Sequence, residues 1–246
     1  MYQEHRPDIR LTPFVETYWT ATEFGDEGEV FKILPDGCVD ILFAFGDSSA
    51  ENSIPHIVGT MTYFIEIKYV DDINRFGIRF KPAGITAFTH VPIFEFTNQQ
   101  IDMTGVETLF DEGFYEVLPE KKTITETIHH IDTYLLGKLS CLYTPEKQII
   151  HAIDLIYLAK GQLSLADVAS HVCSGQRHFE RKFKSSVGIS PKTFAKIVKF
   201  KHTLHHLRTH SSDNLYAIAI DCGYYDQTHL IKDFKALTGD VPGNFR

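Results

Sequence analysis

The residues best placed to do chemistry are basic and close together. Between Gln176 and Arg208 the chain carries Arg177, Arg181, Lys182, Lys184, Lys192, Lys196, Lys199, Lys201 and Arg208 against a single acid, Glu180. A stretch of this kind suits a polyanion, because Lys and Arg release counterions condensed on phosphates. A solvated helix face can carry the same charge. The spacing adds what charge alone lacks. Phe179 and Phe183 stand at i and i+4, on one helix face, which leaves Arg177, Glu180, Arg181 and Lys184 on the opposite one. A helix with a buried aromatic stripe and an exposed basic stripe is what reading a major groove requires.

Other reactive side chains group less well. His202, His206 and His210 share a helix face, so a metal is geometrically open to them. No carboxylate or Cys completes the set, and His at a helix end also suits the dipole. His129 and His130 are adjacent, cannot share a face, and read as surface. Cys38, Cys141, Cys173 and Cys222 lie far apart and form no disulfide framework or Cys-x-x-Cys motif, which points to a reduced, cytoplasmic compartment. Cys173 and Cys222 sit in or next to the two turns, where a redox switch is one reading and small buried thiols the commoner one. Asp36 and Asp40 could act as paired carboxylates, although a turn accounts better for Asp36. No nucleophile elbow, phosphate loop or Cys/His pair is present, so neither catalytic residues nor a cofactor are expected.

The elements that must position the basic face come in a repeat. Leu165-Ala166-Asp167-Val168-Ala169 matches Leu215-Tyr216-Ala217-Ile218-Ala219 at an offset of 50. Phe179, Phe183, Lys184, Gly188 and Pro191 match Leu230, Phe234, Lys235, Gly239 and Pro242 at an offset of 51. One residue has entered near Gly223-Tyr224-Tyr225, and a repeat with one slip in a turn is a duplicated supersecondary unit. In each unit a short helix, packed through Leu165, Val168 and Ala169 in the first, precedes a tight turn and a second helix. In the second unit Gly223 ends the first helix and Asp226 caps the next, leaving Gln227, Thr228, His229 and Lys232 for its outer face. Ser190 and Pro191 start a helix to about Leu207 that joins the units.

The first half has another period. Val39, Ile41, Phe43 and Phe45 alternate, as do Tyr63, Ile65, Ile67 and Tyr69, and again Phe76, Ile78 and Phe80. These runs predict short strands, with Pro35-Asp36-Gly37 as a turn. Thr123 to Leu139 then reads as a helix with Ile124, Ile128, Ile131 and Leu135 in one stripe, and Tyr143-Thr144-Pro145 marks a boundary. The net charge of -8 divides unevenly. Residues 146–246 hold 14 Lys and Arg against 9 Asp and Glu, a net of +5, which leaves -13 for residues 1–145. Segregation of this kind suggests domains with different partners. A length of 246 residues with 43% hydrophobic and 23% charged residues suits a soluble chain of one large or two ordinary domains. No apolar run approaches the roughly 18–20 residues that span a bilayer. The polar start Met1-Tyr2-Gln3-Glu4-His5-Arg6 shows no secretory signal.

Residues 147–246 resemble the DNA-binding domain of the AraC/XylS family of bacterial transcription regulators. The resemblance is carried by Leu163 through Ala169, by Arg177-His178-Phe179-Glu180-Arg181-Lys182-Phe183-Lys184, and by Gly188-Ile189-Ser190-Pro191. The second unit adds Ala219, Gly223 through Leu230, Phe234-Lys235, Gly239, Pro242 and Phe245-Arg246. At the first turn, where many relatives have Gly and then Ser, this chain has Cys173 and Gly175, with Ser174 as another candidate cap. Less specifically, Val15 through Trp19, Leu34 through Asp40, and Phe76 through Pro82 resemble the cupin-like barrel found ahead of that domain in some such regulators.

The resemblance implies an α+β chain in two domains. A small, mostly-β cupin-like barrel with flanking helices would occupy residues 1–122. A helical linker or dimerisation segment would follow over 123–145, and an all-α domain with two helix-turn-helix units and a linker helix over 146–246. Double-stranded DNA and RNA polymerase are the implied partners. Arg177, Arg181 and Lys232 lead for base or phosphate contact, with Gln176, Glu180, Lys184, Gln227, Thr228 and His229 next. The acidic half is a poor DNA binder, so it should sense a small ligand or pair with a second copy. Trp19, Phe43 and Phe64 would line a pocket or simply fill the core, and the Ile124–Leu139 stripe would pair or pack on its own barrel. Dimerisation, with a ligand effect of about 1–3 kcal/mol on DNA affinity, is the favoured expectation. A metal-dependent cupin enzyme is the rival, but the barrel region offers only isolated His56 and His90. A non-DNA-binding interaction protein is the third class, and it leaves the basic repeat unexplained.

Overall fold

The computed structural model describes residues 2–21, 30–45, 55–68, 74–103, 109–139, 146–172, 175–210 and 214–246. Tyr69, Cys141, Cys173, Ser174 and the Tyr143-Thr144-Pro145 boundary lie outside these residues.

The first half is built on alternation. In β4 (Val39–Phe45), Val39, Ile41 and Phe43 are buried, and in β7 (Asn74–Phe80), Phe76, Ile78 and Phe80 are. The two strands pair antiparallel with Ile41 opposite Ile78 and Phe43 opposite Phe76, so their apolar faces coincide. Around them lie β1 (Tyr2–His5), β2 (Val15–Ala21), β5 (His56–Val58) and β8 (Gln100–Asp102), in the order β1-β2-β7-β4-β5-β8. A separate antiparallel ribbon joins β3 (Val30–Ile33) to β6 (Ile65–Lys68). That ribbon's alternation is weaker than expected. Tyr63 falls in a bend before β6 and is exposed, and Ile65 and Ile67 are only half-buried. The Pro35-Asp36-Gly37 turn forms as read: Asp36 Oδ1 accepts from the Cys38 amide at 2.9 Å, and Gly37 takes φ +86°, which a Cβ disfavours.

Two helices complete this half, α1 (Glu112–Val117) and α2 (Ile124–Leu139). The stripe of α2 is used inside its own domain. Ile131 and Leu135 are fully buried in the β core, Ile128 packs against it, and the Tyr18 hydroxyl donates to Asp132 at 2.7 Å. Burial of a Leu or Ile in this way stabilises by about 1.5–3 kcal/mol, so Ile131 and Leu135 serve their own domain's core. His130 also departs from its surface reading: its ring stacks on Phe114 at 4.9 Å, while His129 stays exposed. Phe43 lies among Phe76, Phe110 and Phe114 as core. Trp19 lies across Gly77 and donates its indole N–H to Asp40 at 2.9 Å.

The second half is helical: α3 (Lys147–Leu158), α4 (Leu165–His171), α5 (Gln176–Val187), α6 (Pro191–Thr209), α7 (Leu215–Asp221) and α8 (Gln227–Thr238). The repeat is carried into the structure. The helices α4 and α7 have seven residues each, α5 and α8 twelve each, and both of the latter end on left-handed glycines, Gly188 and Gly239. The molecule is thus a mostly-β domain followed by a helical one. The two touch, since Ala83 belongs to the helical core and the Gly37 turn lies on Phe194 of α6.

Candidate nucleic-acid interface

Local capping sets each unit. Ser164 accepts from the Asp167 amide to start α4, which buries Val168 and Ala169. Asn214 accepts from the Tyr216 amide to start α7, which buries Ile218 and Ala219. Gly223 takes φ +77° after α7, and Asp226 caps α8 by accepting from the His229 amide at 2.7 Å. In the first unit, α5 starts at Gln176 behind Gly175, which offers no side-chain cap.

The long helix α6 starts at Ser190 and Pro191, as read, and runs to Thr209. Its Phe194 meets Phe183 of α5 at 5.6 Å between ring centroids, and its Phe200 meets Phe234 of α8 at 4.9 Å. One helix thereby holds a buried aromatic of both α5 and α8 and sets the two on a shared support.

With Phe179 and Phe183 buried, α5 exposes Gln176, Arg177, His178, Arg181 and Lys184. With Leu230 and Phe234 buried, α8 exposes Gln227, Thr228, His229, Lys232 and Lys235. The offset of 51 makes Arg181 and Lys232 equivalent positions of the two helices. Hydrogen bonds order the α5 face: Gln176 Nε2 donates to Glu180 Oε1 at 2.9 Å, and an Arg181 guanidinium nitrogen lies 3.2 Å from His178 Nδ1. An open concavity of about 740 Å³ is lined by Gly175, Gln176, Arg177, His178 and Glu180. His229 is partly structural, with Nε2 3.7 Å from Asp233.

Several basic residues serve the fold. Lys182 pairs with Glu146 at 2.7 Å, and Lys196 with Asp233 at 2.9 Å. Lys199 lies 4.2 Å above the Tyr224 ring, where burial pulls its ammonium below the ordinary range. Lys184 sits at the far end of α5 with its ammonium 5.6 Å from the Phe94 ring of the β-rich half. At the end of α6 the His206 ring lies 4.5 Å from that of His210, the residue that caps the helix, with the two rings tilted by 39°. Among the described residues, no group of three His, Cys, Asp or Glu is arranged to hold a metal.

Three exposed residues were missed from sequence. His178 and Lys235 are the partners of His229 and Lys184 under the offset of 51, so the repeat itself could have named them. Tyr225, 88% exposed at the entrance to α8, had no periodic signal.

The match to known families falls on this geometry. Residues 168–246 match a family described as a helix-turn-helix domain. A helix-turn-helix domain is a DNA-binding unit, and the match covers the last third of the chain. Residues 3–102 match a family described as a domain of unknown function. No curated protein matches the chain. Among solved structures, the molecule is similar to ToxT from Vibrio cholerae, with 11% identity over 93% of this chain and 97% of that one, and a TM-score of 0.48. ToxT from strain SCE256, solved with an unsaturated fatty acid bound, gives 8% identity over 93% and 94%, with a TM-score of 0.46. The C-terminal domain of AraT, a response regulator from Geobacillus stearothermophilus, gives 22% identity over 41% and 84%, with a TM-score of 0.39. Among the described residues, no helix is long and apolar enough to cross a membrane.

Proposed function

We propose that the chain is a sequence-specific transcription regulator whose helices α5 and α8 enter successive major grooves on one face of a duplex. Arg177 and Arg181 contact bases or phosphates in one half-site and Lys232 in the other, with Gln176, Glu180, Gln227, Thr228 and His229 beside them and Lys184 at the edge. The observation that carries this reading is the equivalence of Arg181 and Lys232 on two exposed helices of equal length. The functional division is residues 146–246 for DNA, 1–122 for sensing a small ligand or pairing with a second copy, and 123–145 as a helical linker or dimerisation segment. RNA polymerase is the partner such a regulator would act on.

The test is a titration of the full chain against duplex DNA in rising salt. Six or more phosphate contacts should cost about a thousandfold in affinity between roughly 50 and 200 mM salt. A footprint should cover two grooves about 34 Å apart. Affinity indifferent to salt, or no binding at low salt, would end this reading.

A further inference from the structure

The β-rich half does not touch the helical half at random: its polar contacts gather at the C-terminal ends of the two reading helices. The last carbonyls of a helix have no donor within it. At the end of α5, Thr60 Oγ1 donates to the Val187 carbonyl at 2.7 Å, and Thr97 Oγ1 donates to the Gly188 carbonyl at 2.7 Å. At the end of α8, Lys32 Nζ donates to the Thr238 carbonyl at 3.3 Å, a cation at the negative end of the helix dipole. The Phe64 ring closes over Gly239 so tightly that a Cβ there would stand 2.6 Å from Cζ. Lys32 lies 4.8 Å above that same ring. The two glycine caps, equivalent in the repeat, are thus both covered by the other half of the molecule.

Thr60 and Phe64 are four residues apart. A fully extended chain of that length spans at most about 14 Å between its end Cα atoms. One short segment therefore reaches from the end of one reading helix to the end of the other. It is braced midway, since the Thr62 amide donates to Asn98 Oδ1 at 2.8 Å and the Asn98 amide donates to the Thr60 carbonyl at 3.1 Å. Asn98 follows Thr97, which itself holds Gly188.

We infer that residues 60–64 form a strut between the two reading helices, and that Thr60, Thr97, Phe64 and Lys32 are positioning residues that set the half-site spacing the molecule accepts. The contacts lie at the C-terminal ends of α5 and α8, so the N-terminal turns that carry Arg177 and Thr228 stay exposed. The helix α6 supports the two reading helices from beneath, and the strut adds a second bridge from the β-rich half. This inference rests on the DNA-reading assignment above.

The test uses the full chain and a duplex chosen by selection from random sequence, with its two half-sites then moved apart by one or two base pairs. The wild type should lose about tenfold or more in affinity on the altered spacing, a coupling of ordinary size between linked sites. Thr60→Val with Thr97→Val, and separately Phe64→Ala, should flatten that preference to under about threefold while binding to an isolated half-site is unchanged. Thr60→Ser with Thr97→Ser keeps both hydroxyls and should restore the preference. Wild-type spacing preference in the valine and alanine variants would overturn the strut. If the double variant fails to fold, Thr97→Val alone is read the same way. Amide exchange at the last turns of α5 and α8 gives a readout that needs no DNA. Exchange there should rise in the variants, and unchanged protection overturns the strut even if no duplex binds, an outcome that would by itself sink only the DNA reading.

Discussion

Arg181 and Lys232 occupy the same place in two copies of one helix, and their chemistry differs. A guanidinium can bond two acceptors of a guanine edge in a fixed fork, whereas an ammonium is a point charge suited to either a base or a phosphate. Arg181→Ala should therefore cost about 1–3 kcal/mol on a selected duplex and much less on a scrambled one. Lys232→Ala should weaken all sequences evenly if it meets phosphate, and titration of both duplexes separates the cases. A loss for Arg181→Ala that is equal on both duplexes would remove it from base reading.

A second residue, Asp40, links burial to pH. Burial pushes its carboxyl up from 3.8 to about 6, against the opposing pull of Arg79, whose Nε lies 3.2 Å away, and of the Trp19 indole. A raised carboxyl favours the protonated folded state. Its contribution is present in full below 3.8 and is lost as pH rises through about 6. Asp8, which a hydrogen bond from Arg10 holds at about 2, acts with the opposite sign. The diagnostic quantity is thus the difference between the wild type and Asp40→Asn. The wild type should lose stability relative to that variant between about pH 4 and pH 6 in urea titrations. A flat difference over that window would mean that Arg79 compensates fully.

At the scale of elements, α2 shows how a stripe can be read two ways. Its apolar period is real, and only its partner was undecided. Ile131 and Leu135 are wholly buried in the β core, while Ile124 keeps 36% of its surface exposed. Leu135→Ala should cost about 2–5 kcal/mol of stability, through lost transfer energy and the cavity left behind. Ile124→Ala should stay within about 0.5 kcal/mol. Urea melts check both. A Leu135→Ala protein of unchanged stability that altered only its sedimentation would return the stripe to a pairing role. The helix-turn-helix elements, by contrast, are set by their own caps, Ser164, Asn214 and Asp226, each within a few residues of what it bonds.

For the whole molecule, the division of charge has a mechanical counterpart. The acidic half is repelled by phosphate, and it meets the helical half at the ends of α5 and α8 and along α6. The basic N-terminal turns of the reading helices are left exposed. The steep salt dependence expected of DNA binding therefore belongs to the helical half, and the geometry of that binding to both halves together. The segment from Thr60 to Phe64 is a direct contact between the β domain and the C-terminal ends of α5 and α8, on the side away from Arg177 and Thr228.

The amino-acid sequence alone determined the repeat, the caps Ser190 and Asp226, the left-handed Gly223 and the alternation of β4 and β7. The caps, the glycine and the alternation depend on neighbours within about five residues or on a period of 2, so each leaves a local trace, while the repeat shows as a match of residue types at offsets of 50 and 51. The exposed residues of α5 were legible for the same reason, because burial of Phe179 and Phe183 settles which side of the helix faces out. What only the tertiary structure decided lies far apart in the chain. Lys182 turns back to Glu146, Lys196 to Asp233, and Lys184 to Phe94. The Thr60–Val187 bond joins residues 127 apart and the Lys32–Thr238 bond residues 206 apart. A threonine or lysine that finds its partner at such a distance obeys no period and needs no special backbone, so a single sequence holds no mark of the pairing until the two halves meet.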